Sequence, residues 1–131
     1  MIQVNSKSSI PLFEQIQSKV KELILKNALR DGDKLPSVRE LACMITVNPN
    51  TISKAYGKLE EDGIIQTVQG KGTFVKNGAN LFVRQDGIFS IQRELRKILN
   101  SAFMLNLTLE EIIKMEKEIY KDIKEENNDR N

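Results

Sequence analysis

The order of signals along the chain predicts a mainly α fold with a small β-hairpin wing. An N-terminal winged helix-turn-helix is expected over residues 1–76, and a linker with a short two-helix dimerisation domain over residues 77–131. Three features carry this expectation. Two short helices, each with its own N-terminal cap, begin at Ser37 and Asn48; a glycine-tipped hairpin follows at once over residues 64–75; and two amphipathic stripes close the chain.

The first helix is expected over residues 11–27, where Leu12, Ile16, Val20, Leu23 and Ile24 share a stripe and Glu14, Lys19, Lys21 and Glu22 lie off it. It closes the core. Residues 1–9 are polar and expected to be extended. Arg30-Asp31-Gly32-Asp33-Lys34 reads as a turn, with Leu35 in a short strand that pairs with the wing. In the next helix Ser37 and Glu40 have capping-box spacing, and Val38, Leu41, Ala42 and Ile45 recur on one face. Cys43, the single cysteine, is expected among the core or near-core side chains of that helix.

Asn48 then serves as N-cap of a second helix with Pro49 at its first position, where a missing N–H costs nothing. Ile52, Ala55, Tyr56 and Leu59 form the inward stripe, and Gly63 is placed to end the helix in a left-handed conformation. The outward face near the helix start carries Asn48, Asn50, Thr51, Ser53 and Lys54. Amides, hydroxyls and a cation on the first turns of such a helix suit base edges in a major groove. The β-branched residues on either side of Gly70-Lys71-Gly72 predict the hairpin, whose lysine offers charge to phosphate or to a minor groove.

Residues 76–87, with Asn77-Gly78 and Asp86-Gly87, read as linker and turn. Ile91, Leu95, Ile98, Leu99, Ala102 and Phe103 make the next stripe. After a break at Asn106-Leu107, Thr108 opens a last helix with Leu109, Ile112, Ile113, Ile119, Tyr120 and Ile123, and Glu111 completes a capping box. Two helices of this length cannot hide both stripes from water. A homodimer is therefore expected, with Ile91, Leu95, Leu99, Phe103, Ile112, Ile119 and Tyr120 in its interface. The tail from Glu125 onward is expected to fray.

Composition narrows the function. With 40% hydrophobic residues in 131, the chain can bury one modest core and a small appendage. Residues 1–77 hold 11 Lys and Arg against 8 Asp and Glu, while residues 78–131 hold 9 against 10, so the positive charge lies in front. One cysteine and no histidine leave no metal site, no calcium-loop spacing is present, and the paired acids sit at helix ends, so neither cofactor nor catalysis is expected. No apolar run approaches the roughly 20 residues of a membrane span and no signal-peptide pattern opens the chain, so a cytoplasmic address is expected. A winged helix used only for protein–protein contact would call for an apolar or acidic face in place of Asn50, Thr51, Ser53 and Lys54.

The segments Leu35-Pro36-Ser37-Val38-Arg39-Glu40-Leu41-Ala42, Val47-Asn48-Pro49-Asn50-Thr51-Ile52 and Gly70-Lys71-Gly72-Thr73-Phe74-Val75 together resemble the GntR family of bacterial transcription regulators. The Asn-Pro-Asn-Thr helix start and the short C-terminal region look most like its YtrA subfamily. The 55 residues after position 76 are too few for the large effector domains of the other subfamilies. The resemblance implies a DNA-binding set of Ser37, Arg39, Asn48, Asn50, Thr51, Ser53, Lys54, Gln69, Gly70, Lys71 and Gly72. In it Arg39 reaches DNA from the first helix of the pair, the α-helical polar face enters the major groove, and the wing enters the minor groove. It also implies a pseudo-palindromic double-stranded operator, repression of a neighbouring operon, commonly one for an ABC transporter, and a phosphate contact from Lys7. Many family members carry arginines on the recognition helix; here Pro49 and Ser53 stand among the groove-side positions and Lys54 is the one cation, so base preference does not carry over. Any effector is expected between tail and winged domain or across the dimer, because the tail's apolar side chains leave little room for a cavity within one subunit.

Overall fold

The computed structural model describes residues 1–129 and divides into two compact units, Met1–Ile88 and Phe89–Asn131. Their elements are α1 (Leu12–Leu25), β1 (Lys34–Leu35), α2 (Val38–Ile45), α3 (Pro49–Glu61), β2 (Ile65–Val68), β3 (Gly72–Val75), α4 (Ala79–Met104) and α5 (Leu109–Asp129).

In the first unit α3 packs on both α1 and α2, and an antiparallel sheet of order β1-β3-β2 lies beside it. The stripes meet as their periodicity requires: Ile16, Val20 and Ile24 of α1, Leu41 of α2, and Ile52, Ala55 and Leu59 of α3 are buried together with Ile65 and Val75 of the sheet and Ile64 just before it. Pairing of Leu35 with Thr73 and of Ile65 with Val75 sets the register that turns Leu35, Ile65 and Val75 inward. Gly63 ends α3 at φ +80°, where the N–H of Gly63 donates to Glu60 O at 3.0 Å and that of Ile64 to Leu59 O at 2.9 Å. This is a Schellman closure, and a Cβ at such a φ would strain it.

Four expectations are corrected. The N-terminal residues are not merely polar and extended: Ile2 is buried in the core, Val4 packs against it, and the Gln15 side chain clamps Asn5, accepting from its N–H at 2.7 Å and donating to its carbonyl at 3.0 Å. Residues 79–87 are helix instead of linker. Ala79 and Val83 are buried in the core, and Asn80 Nδ2 donates to Ile24 O at 2.8 Å at the end of α1, so tertiary burial outweighs the weak helix propensity of Gly87. Cys43 is exposed, because its position rotates it away from Leu41 and Ala42 onto the turn above Arg39. Finally, α5 continues through Glu125 to Asp129.

The second unit contains the later part of α4 and all of α5. Asn106 takes a left-handed φ of 61° and Leu107 N–H donates back to Ala102 O at 3.1 Å, which closes α4. The box at Thr108 is reciprocal: Glu111 N–H donates to Thr108 Oγ1 at 3.2 Å, and Thr108 N–H to Glu111 Oε1 at 3.1 Å. The helices do not pack closely along their length. They leave an open groove of about 930 Å³ lined by Ile91, Leu95, Leu99, Ile112, Ile119 and Tyr120, among others. This groove is open to solvent along α4 and α5, not a cavity enclosed within the tail. Phe103 is not among its walls and stands exposed at the end of α4.

Candidate nucleic-acid interface

The turn between α2 and α3 is built from local hydrogen bonds. Ser37 Oγ accepts from Glu40 N–H at 3.1 Å, which starts α2. Thr46 leaves the helix at φ 54°, with its N–H donating to Ala42 O. Asn48 Oδ1 then accepts from Asn50 N–H at 2.8 Å and Pro49 occupies the first turn of α3. Capping commits the oxygen of Asn48 to the backbone. Its Nδ2 donors remain for an outside partner.

One long-range bond fixes the pair. Tyr56, 5% exposed, donates its hydroxyl to Pro36 O at 2.8 Å, tying the middle of α3 to the residue before the α2 cap. Burial, aided by the negative charge of Glu40, pushes the Tyr56 phenol up to about 12. The hydroxyl therefore stays a donor at neutral pH.

On the outward side of α3, Asn48, Asn50, Ser53 and Lys54 are exposed, whereas Thr51 is half-buried. Lys54 does not range freely. Its Nζ lies 3.8 Å from the centroid of the Phe13 ring, a cation–π contact that couples α1 to the candidate recognition face. Phe13 was absent from the sequence-predicted set, since a contact across 41 positions leaves no periodic trace.

The hairpin forms as predicted, with Val68 opposite Gly72 and Lys71 N–H closing the turn on Val68 O at 2.9 Å. Gln69, Gly70 and Lys71 are exposed at its tip and Gly72 is half-buried. Two contacts steady it: Thr67 and Thr73 hydroxyls meet at 3.4 Å, and Thr67 N–H donates to Glu60 Oε1 at 3.1 Å, linking wing to α3. Ser37 and Arg39 are exposed on the first turn of α2 and just before it, and Lys7 is exposed as well.

Three lysines of the first unit are held in ion pairs along their own helices. Lys19 and Lys26 pair with Glu22 at 3.3 and 2.6 Å, and Lys58 with Asp62 at 3.3 Å. Among the described residues, Arg39, Lys54 and Lys71 have no carboxylate within 4.0 Å. The candidate face thus keeps its cations available to an external anion. No described helix is long and apolar enough to cross a membrane.

A helix-turn-helix with a three-stranded wing, free cations and outward amides and hydroxyls is the architecture of a DNA-binding transcription regulator. Residues 12–75 match the family model described as bacterial regulatory proteins, gntR family. The chain is 44% identical over 124 residues to the HTH-type transcriptional repressor YtrA of Bacillus subtilis (strain 168), with 95% of each chain covered. It belongs to the gntR family. Two solved structures share the fold over most of both chains. A transcriptional regulator from Oenococcus oeni has a TM-score of 0.74 at 30% identity, covering 89% of this chain and 97% of that one. A transcriptional antiterminator from Listeria monocytogenes EGD-e has a TM-score of 0.68 at 40% identity, covering 94% and 92%. The full-length likeness to YtrA agrees with the short-tailed subfamily that the sequence resembles.

Proposed function

We propose that the chain acts in the cytoplasm as a homodimeric repressor that reads a pseudo-palindromic operator near its own gene and controls a neighbouring operon. In this reading residues 1–76 bind DNA. Asn50, Thr51 and Ser53, with the free donors of Asn48, read base edges in the major groove, while Ser37, Arg39, Lys54 and the wing residues Gln69, Gly70, Lys71 and Gly72 hold the backbone or minor groove. The carrying observation is that exposed Asn48, Asn50, Ser53 and Lys54 at the start of α3, Arg39 on α2 and Lys71 at the wing tip are presented by one capped helix-turn-helix and its hairpin, with no carboxylate within 4.0 Å of these three cations among the described residues.

Dimerisation is assigned to residues 77–131 and rests on the groove between α4 and α5. Ile91, Leu95, Leu99, Ile119 and Tyr120 are all exposed in the single chain, an apolar surface that a second copy would cover, with Ile112 and Phe103 alongside. Repression is supported by the name of the B. subtilis relative. Footprinting on the promoter of its own gene, with sedimentation at micromolar concentration, tests both parts. Protection of two half-sites separated by whole helical turns and a dimer boundary are expected. A monomer, or no protected site, would overturn the proposal.

A further inference from the structure

We infer that Lys34 is a second cation of the wing, seated to engage a phosphate of the DNA duplex. The inference rests on the DNA-binding function proposed above. Lys34 and Leu35 are the whole of β1; Leu35 points into the core and Lys34 pairs with Phe74 on the exposed side. The Lys34 side chain does not extend straight from that register. It lies diagonally over Gly72, where a Cβ would stand 2.7 Å from Lys34 Cε and 3.4 Å from Nζ. The bare backbone of Gly72 is the seat of the lysine stem, and the φ of +126° there further favours glycine.

Gly72 adjoins Lys71, so this seat carries the Lys34 ammonium toward the tip end of the hairpin, where the second lysine already stands. Among the described residues neither has a carboxylate within 4.0 Å. Two uncompensated cations at one end of a hairpin repel each other until an anion joins them, and a duplex presents one phosphate charge per about 1.7 Å of axis. Packing of the stem also removes part of the rotamer entropy that a free lysine loses on binding. Lys34 falls inside what the sequence marks only as a turn, so its membership in the interface comes from the diagonal contact alone.

The test uses the full chain and an arbitrary-sequence duplex of about 30 base pairs, titrated by fluorescence anisotropy between about 50 and 200 mM salt. Lys34→Met keeps an apolar stem on Gly72 and removes the charge. It should flatten the slope of log K against log salt by about 1, which weakens binding about fourfold more at the low-salt end than at the high, with the thermal melt unchanged. Lys34→Arg should restore the slope. Gly72→Ala, which displaces the end of Lys34, should flatten the slope in the native background and not further in the Lys34→Met background. A slope unchanged by Lys34→Met, with Lys71→Ala still flattening it, overturns the role of Lys34 alone. If neither variant changes the slope, or the native chain binds no duplex, the proposed DNA face falls with it.

Discussion

Replacing Tyr56 by Phe removes one oxygen from the core of the helix-turn-helix, and the structure sets both the size and the pH dependence of the effect. The hydroxyl donates to Pro36 O at 2.8 Å, and Pro36 is only half-buried. Water can reach part of the carbonyl, so the loss near neutral pH is about 1 kcal/mol rather than the roughly 3 kcal/mol of a fully orphaned group. At high pH the order reverses. In the folded chain the Tyr56 phenol titrates at about 12 and in the unfolded chain near the ordinary phenol value of 10.0, so between these values the folded state binds more protons. Stability is fully present below pH 10 and falls as pH rises toward 12, by about 2–3 kcal/mol in all at 1.36 kcal/mol per unit. Tyr56→Phe has no such proton. Urea melts of both proteins at one protomer concentration, from pH 8 to about 11.5, should therefore cross: the native chain is the more stable at pH 8 and the variant at the alkaline end. Parallel pH profiles would refute the buried, hydrogen-bonded state of Tyr56.

Three further outcomes are expected. Arg39→Ala and Lys71→Ala should each weaken binding to every duplex and flatten the salt slope by about 1, whereas Asn50→Ala and Thr51→Ala should relax base preference; footprint and anisotropy titrations that showed no change for either class would defeat the assigned face. A chain ending at Ile88 retains buried Ala79 and Val83 and should sediment as a folded monomer, while one ending at Lys76 loses them and the Asn80 bond and should be less stable by about 2–4 kcal/mol in chemical denaturation; equal stability of the two would contradict the placement of early α4 in the first core. Gly87→Ala should raise stability by about 1 kcal/mol, because the residue is helical and its added Cβ meets nothing within 4 Å; a lowered melting temperature would exclude a plain helical role for this glycine.

Much of this protein was legible in the order of its residues, because the relevant forces act over one turn of chain. Ser37 and Asn48 cap through backbone N–H groups two or three residues on, Gly63 and Ile64 close α3 on carbonyls respectively three and five residues back, and Thr108 and Glu111 satisfy each other's turn. Periodicity likewise named Ile16, Ile52 and Leu59 as core, since a helix has one inward face whatever it meets. The tertiary structure decided what depends on distant partners. Ile2 is buried because a core stands beside it, residues 79–87 are helical because Ala79 and Val83 have somewhere to pack, and Cys43 is exposed because α2 turns its apolar side elsewhere. The candidate DNA face divides along the same line. Asn50 and the wing tip were readable from local signals, whereas the seat of Lys54 on Phe13 and that of Lys34 on Gly72 exist only where segments 41 and 38 residues apart in the chain touch, and no local pattern records such a meeting.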